Sequence, residues 1–282
     1  MEWCSSHNVR FEQMNEEITK QTKTKKVGLD ILLCKHCNLR CRACARFSNV
    51  AKPYFYDFSM LKSDLKKIKD TLTVERFTFT GGEPLLHPQL ENILVYTREL
   101  YPEIGISIFT NGKALIEKNI WDLLKKLDIG ITYTKYINSN VDYDAIESMA
   151  SENDIAFHNI CLYNNKSCPE LKSKMYLFKL SKHIKDDLNT KKQMCDGDCP
   201  CLWESKIFQC GTVAFIDTLN SVFKTNFYHC KGDYLEVNSL TSDKYFNYIT
   251  KPIPFCRYCM NCKVDEIEWS QAKSTIDDYV ER

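Results

Sequence analysis

From residue 27 to residue 160 the chain alternates between two periodicities. Short apolar runs at 27–33 (VGLDILL), 76–80 (RFTFT), 104–110 (IGISIFT), 129–133 and 155–160 read as strands. Between them, apolar residues recur at helical spacing. The first such face is Leu61, Leu65, Ile68 and Leu72, with Ser59 as its expected N-cap. The next is Leu90, Ile93, Leu94, Thr97 and Leu100. The third is Leu115, Ile116, Ile120, Leu123, Leu124 and Leu127, and a further helix is expected near 142–150. Strand–helix–strand alternation through short connections calls for a parallel sheet covered by helices, with right-handed crossovers. The expected fold class is α/β.

In such architectures ligands gather at the C-terminal ends of the strands. Here three successive ends carry a run of cysteines from Cys34, the turn Gly81-Gly82-Glu83-Pro84, and Thr110-Asn111-Gly112. Three separate features therefore converge on one rim, and the chain's 15 cysteines give it its chemistry. The odd count excludes complete internal pairing. The N-terminal stretch shows no basic segment followed by an apolar one, so no export signal is expected. In the cytoplasm, the expected location, clustered thiols hold metal or perform redox chemistry. Lys and Arg total 38 against 37 Asp and Glu, a formal charge of +1, so bulk charge does not call for nucleic acid. No uncharged stretch reaches the roughly 18 residues of a membrane span, so no membrane partner is expected.

The first cysteine run is Cys34-Lys-His-Cys37-Asn-Leu-Arg-Cys41-Arg-Ala-Cys44. It contains CxxxCxxC at Cys37, Cys41 and Cys44. Three thiolates on one loop can hold three irons of a [4Fe–4S] cube and leave the fourth open to an exchangeable ligand. Cys34 also forms CxxC with Cys37, so a closed four-thiolate cluster or a zinc knuckle satisfies the same spacing.

CxxxCxxC after the first strand, in the wording HCNLRCRACA, followed by GGEP after the second, resembles the radical S-adenosylmethionine (SAM) superfamily over about residues 27–160. The resemblance implies a partial (β/α)6-type parallel barrel. It implies that Cys37, Cys41 and Cys44 ligate a [4Fe–4S] cluster, with Cys34 a neighbour outside the ligand set. The amino and carboxylate groups of SAM would chelate the open iron. One electron into the sulfonium then cleaves a C–S bond, and the resulting 5′-deoxyadenosyl radical takes hydrogen from an unactivated carbon. Gly81 and Gly82 lack a Cβ, so backbone could approach the methionine moiety. Glu83 would face the SAM ammonium and Pro84 would stiffen the turn. Thr110 and Asn111 fall where the family contacts SAM ribose or carboxylate. One position departs: Ala43 stands where the family usually carries an aromatic or larger apolar residue, which leaves the adenine side without that contact.

After about residue 190 the regular alternation weakens. The expected organisation is a polar lead-in at 1–26, a radical SAM core at 27–190 and a smaller cysteine-rich module at 191–282. Cys201-LWESKIFQ-Cys210-Gly211 and the later Phe255-Cys256-Arg257-Tyr258-Cys259 resemble the auxiliary-cluster extension called SPASM in its long form and twitch in its short form. The resemblance implies one auxiliary [4Fe–4S] cluster on Cys201, Cys210, Cys256 and Cys259. Cys195, Cys199 and Cys262 compete for places, and a structural zinc site is the alternative. A last helix is expected from Glu266, with Ala272, Ile276, Tyr279 and Val280 in phase. Cys161, Cys168 and Cys230 read as small buried hydrophobes, and Trp203 and Trp269 as core or cleft packing. Arg40, Arg42 and Arg46 read as contacts for an anionic substrate or as solvated side chains.

The expected activity is that of a radical SAM oxidoreductase whose 5′-deoxyadenosyl radical abstracts hydrogen from an organic substrate. Dehydrogenation, epimerisation or peptide modification would follow. The expected partners are a small molecule such as a sugar derivative, or a peptide, together with a flavodoxin- or ferredoxin-like reductant. The alternatives are a non-enzymatic iron–sulfur electron carrier and a zinc-binding interaction module.

Overall fold

The structure is a computed structural model and describes residues 26–118, 120–136, 138–159, 174–183, 188, 200–260 and 265–281. Nearly all of the expected lead-in, together with Cys161, Cys168, Cys195, Cys199 and Cys262, lies outside the described residues.

Among the described residues, one sheet has the order β5-β4-β3-β2-β1-β7-β8-β9. Its strands are β1 (Val27–Leu32), β2 (Val74–Thr80), β3 (Gly105–Thr110), β4 (Ile129–Tyr133), β5 (Phe157–Asn159), β7 (Cys201–Trp203), β8 (Lys206–Phe208) and β9 (Tyr234–Glu236). The run from β5 to β7 is parallel, and β8 and β9 continue it antiparallel. A second pair joins β6 (Lys174–Leu177) antiparallel to β10 (Asp265–Glu268).

The two faces of the parallel run differ in chemistry. Pairing sets Leu29, Phe77, Ile106 and Ile129 in one row and Ile31, Phe79, Ile108 and Ile131 in another. All eight are buried. This is the face that the helices cover: the ring of Tyr101 meets Phe77 edge-on at 4.9 Å. Those helices are α1 (Phe58–Lys69), α2 (Leu90–Leu100), α3 (Trp121–Lys126) and α4 (Tyr143–Glu152). Because side chains alternate along a strand, the residues between fall on the opposite face. There Asp30, Thr78, Ser107 and Gly130 form a row. All four are only partly buried. A parallel sheet covered on both sides is apolar on both, so this polar row marks an interior kept for polar contacts.

Three local expectations need correction. Helix α1 is capped by Asp57, not Ser59: Asp57 has extended backbone and its Oδ1 accepts Met60 N–H at 2.9 Å. Ser59 lies inside the helix and hydrogen-bonds to the cap itself. The third helix begins only at Trp121. Gly112 takes a left-handed φ of +84°, the chain turns there, and Ile116 is left exposed. The expected last helix is absent among the described residues: 265–268 is a strand, and 276–278 make a single 3-10 turn. Ser270 has its carbonyl drawn onto the cysteine loop, where Arg42 N–H donates to it, and a helix would have claimed that acceptor.

Among the described residues, the part beyond residue 200 does not build a separate core. Asp30 pairs with Cys201 and Ile31 with Leu202, so β7 extends the same sheet. One buried apolar cluster holds Leu29, Phe77, Trp203, Phe215 and Tyr245 together. No helix among the described residues is long and apolar enough to cross a membrane.

Candidate active site

The cysteine loop leaves the end of β1 and is seated on the end of β2 by backbone contacts. Gly82 N–H donates to Cys34 O at 2.7 Å and Glu83 N–H to His36 O at 3.0 Å. A Cβ on Gly82 would lie 1.9 Å from His36 O, and one on Gly81 would lie 2.5 Å from Cys34 O. The glycine pair therefore lets this turn approach the cysteine loop. That is a different close approach from the expected one, to a methionine moiety. Cys34 turns beneath the loop: it is fully buried and its thiol donates to Glu83 O at 3.1 Å. Burial first, then the Glu83 charge, pushes the Cys34 thiol up to about 12. Burial and Glu83 likewise hold Cys37 above the ordinary thiol range, and the neighbouring thiols of Cys44 and Cys41 add to the shift. That influence places Cys41 and Cys44 beside Cys37, and a metal binding Cys37 must displace its proton.

Glu83 has a structural role that the motif alone does not show. Its carboxylate is buried at 0% exposure and turned into the protein. Oε1 accepts Leu85 N–H at 3.1 Å and the Thr110 hydroxyl at 2.7 Å, and Oε2 accepts Asn111 N–H at 3.0 Å. Three of about four lone-pair positions are taken by protein donors. Burial pushes the carboxyl up to about 7 against those hydrogen bonds. Glu83 thus clamps the end of β2 to the end of β3, and Thr110 is spent in that clamp. Pro84 opens a buried 3-10 turn, Pro84–Leu86. Asn111 reaches the cysteine loop directly: its Nδ2 lies 3.3 Å from Cys37 Sγ and donates to Asn38 Oδ1 at 2.8 Å. Glu83→Gln should lower unfolding free energy by about 1–3 kcal/mol, because one amide face must meet a donor. Urea denaturation of the isolated variant measures it.

The C-terminal segment closes the other side of the loop, which the sequence did not reveal. Ala43, at a left-handed φ of +58°, donates its N–H to Ser274 Oγ at 3.1 Å. The Arg42 guanidinium bonds buried Asp278 at 2.8 and 3.0 Å. Tyr279 donates to Asn49 Oδ1 at 2.9 Å. The side chains of Leu39, Cys41 and Trp269 form an apolar cluster flanked by Cys37, Tyr136 and Ile267. Tyr136 follows β4 at even spacing from Thr132 and Thr134, so strand periodicity carried past the rim is the signal that could have found it.

The three arginines take separate places, and Arg40 is exposed. Arg42 is structural, through Asp278. Arg46 reaches over the polar sheet face, donating to Thr80 Oγ1 at 2.7 Å and Gly81 O at 3.2 Å, with Asp30 at 3.6 Å. Its other flank is Gly211, where a Cβ would stand 2.9 Å from Arg46 Nε. Arg46 therefore lies between the first cysteine loop and the residue that follows Cys210.

In the second cysteine set, Cys201 is buried in β7 at 1% exposure, whereas Cys210 is exposed at the start of the short helix α5 (Gly211–Ala214). Cys256 lies in the turn Pro254–Tyr258, and Cys259 donates its N–H to Cys256 O. Asp233, fully buried, ties these parts together. Its Oδ1 accepts Phe255 N–H and its Oδ2 accepts Cys230 N–H. Its carbonyl accepts the Tyr248 hydroxyl, which in turn accepts Gln209 N–H. Cys230 is not the buried hydrophobe expected: it is partly exposed, and Arg257 donates to its sulfur at 3.1 Å.

Among the described residues no group of three or more His, Cys, Asp or Glu converges closely enough to hold one metal ion. A cube is held by thiolates on separate irons and needs no such convergence. The residues at the first loop fit that group. Three neighbouring thiols share one loop, a fourth is turned away, and a buried indole N–H of Trp269 in the same cluster has no protein partner.

Residues 31–143 match the family described as Radical SAM superfamily. A GTP 3′,8-cyclase of Streptomyces coelicolor is 34% identical over 90 residues, which is 31% of this chain and 26% of that protein. A GTP 3′,8-cyclase of Trichodesmium erythraeum is 33% identical over 101 residues, 34% of this chain and 30% of that protein. The chain thus spans about a quarter to a third of the length of these curated relatives. The crystal structure of BtrN in complex with AdoMet and 2-DOIA superposes with a TM-score of 0.51 at 14% identity, covering 84% of this chain and 94% of that one.

Proposed function

We propose that the chain is a radical SAM enzyme, a reading that the match of residues 31–143 to that superfamily supports, and that it abstracts hydrogen from a small polar molecule. The observation that carries the reading is the loop of Cys37, Cys41 and Cys44, with Cys34 turned under it toward Glu83. When bound there, a [4Fe–4S] cluster with SAM supplies reductive cleavage of the sulfonium and a 5′-deoxyadenosyl radical. The protein's part is to hold and orient. Gly81 and Gly82 seat the loop, Glu83 locks the neighbouring strand ends, and Asn111 braces Cys37. Arg46, Asp30, Thr78 and Ser107 offer hydrogen-bonding groups on the interior face, which supports a hydroxylated or anionic substrate such as a sugar derivative over an apolar one. A peptide is the second substrate class.

The reaction type we favour is oxidation. Cys201, Cys210, Cys256 and Cys259 are the proposed holders of an auxiliary [4Fe–4S] cluster, supported by the Asp233 hub that gathers their segments. A flavodoxin- or ferredoxin-like protein is the proposed reductant and the reducing cytoplasm the proposed setting. The test is anaerobic reconstitution followed by SAM and dithionite. Formation of 5′-deoxyadenosine is expected. Its absence from protein that carries a full cluster would leave a simple electron carrier instead. Zinc, without iron, in protein purified anaerobically would favour the interaction module.

A further inference from the structure

Trp269 is 7% exposed, and its indole nitrogen is buried without a protein partner. Leaving such a donor unpaired costs about 1–3 kcal/mol, so its place needs a reason. The side chain belongs to one apolar cluster with Leu39 and Cys41, flanked by Cys37 and Tyr136. The Tyr136 ring stacks on it at 5.2 Å and 24°. Tyr136 also lies within electrostatic range of Cys41, Cys44 and Cys37. The adjacent residue, Ser270, accepts Arg42 N–H at 2.9 Å, which pins the segment beside Cys41. The indole is therefore held by stacking on one side and by backbone on the other, in the only described cluster that includes two of the three loop cysteines.

We propose that Trp269 Nε1–H donates a hydrogen bond to a sulfur of the cluster held by Cys37, Cys41 and Cys44, and so raises its reduction potential. The proposal rests on the reading that this loop holds an iron–sulfur cube. A donor aimed at sulfur stabilises the more negative, reduced state more than the oxidised one. Trp269 is in this sense a positioning and tuning residue. Trp121 provides the contrast: its indole nitrogen is also buried and unpartnered, but it belongs to α3 on the helix-covered face.

The experiment is an EPR-monitored redox titration of the reconstituted full chain without SAM. It follows the signal that disappears in Cys41→Ala. Trp269→Phe, which keeps ring packing, is expected to bind the same iron and sulfide with a more negative midpoint potential. Trp121→Phe is expected to match the parent. In parallel, parent protein labelled with 15N in its indoles should show a 15N coupling to the reduced cluster by pulsed EPR, lost in Trp269→Phe. An unchanged potential in fully loaded Trp269→Phe overturns the proposal. So does a shift that appears only after SAM is added, which would assign the N–H to the nucleoside. Should Trp269→Phe not fold, absence of the 15N coupling in the parent overturns it alone. Failure of the underlying reading is separate and visible first, as a parent protein that gathers no iron and sulfide.

Discussion

Replacing Cys37, Cys41 or Cys44 singly with alanine will reduce 5′-deoxyadenosine formation to background, while Cys34→Ala will retain it. The contrast follows from where the four thiols point. Cys34 is fully buried, is committed to the Glu83 carbonyl at 3.1 Å and sits under the backbone of the GGEP turn. Cys37, by contrast, lies within electrostatic reach of the thiols of Cys44 and Cys41. Losing one of three ligands removes a corner that nothing nearby replaces. Losing the Cys34 sulfur deletes a small buried group, at about 1 kcal/mol of stability. The measurement is product quantification by liquid chromatography, beside iron analysis of each variant. Equal loss in all four variants would instead mean a closed four-thiolate cluster, and the open-corner reading would go with it.

The second large effect is Gly82→Ala. Its new Cβ would stand 1.9 Å from the His36 carbonyl oxygen and 2.4 Å from the His36 carbonyl carbon. Backbone cannot swing away as a side chain can, so the turn and the cysteine loop must part. Overpacking typically costs 1–3 kcal/mol, and about 3 is expected here because the Gly82 and Glu83 hydrogen bonds to the loop also stretch. The more informative readout is iron content. Gly82→Ala should fold, by circular dichroism, yet gather much less iron than Gly105→Ala, whose nearest atom to an added Cβ is 3.6 Å away. Full iron in Gly82→Ala would show that the contact does not govern the loop.

Much of the half that carries the first cysteine loop was legible because its signals are local. The alternation of apolar runs and helical faces gives β1 to β5 and their helices, with boundaries a residue or two off except for α3, which starts six residues later than expected. The cysteine, GGEP and TNG motifs fall at strand ends as the parallel topology requires. What stayed hidden depends on distant partners. The motif alone does not show that Leu85, Thr110 and Asn111 all donate to Glu83. Ala272, Ile276 and Tyr279 keep helical phase, yet Ser270 and Ser274 are claimed by residues 42 and 43. A boundary near residue 190 is plausible from the changed cysteine spacing, but β7 pairs with Asp30 and Ile31 across it. Sequence periodicity reports which face is apolar, not which chain segment will cover it.

The loop that carries Cys37, Cys41 and Cys44 is fastened by residues more than 200 positions downstream, with Asp278 on Arg42 and Ser274 on Ala43. During synthesis those fasteners are still inside the ribosome when the loop has long since emerged. The proposed cluster would therefore find its full seat only once residues 274–278 have folded back onto the loop.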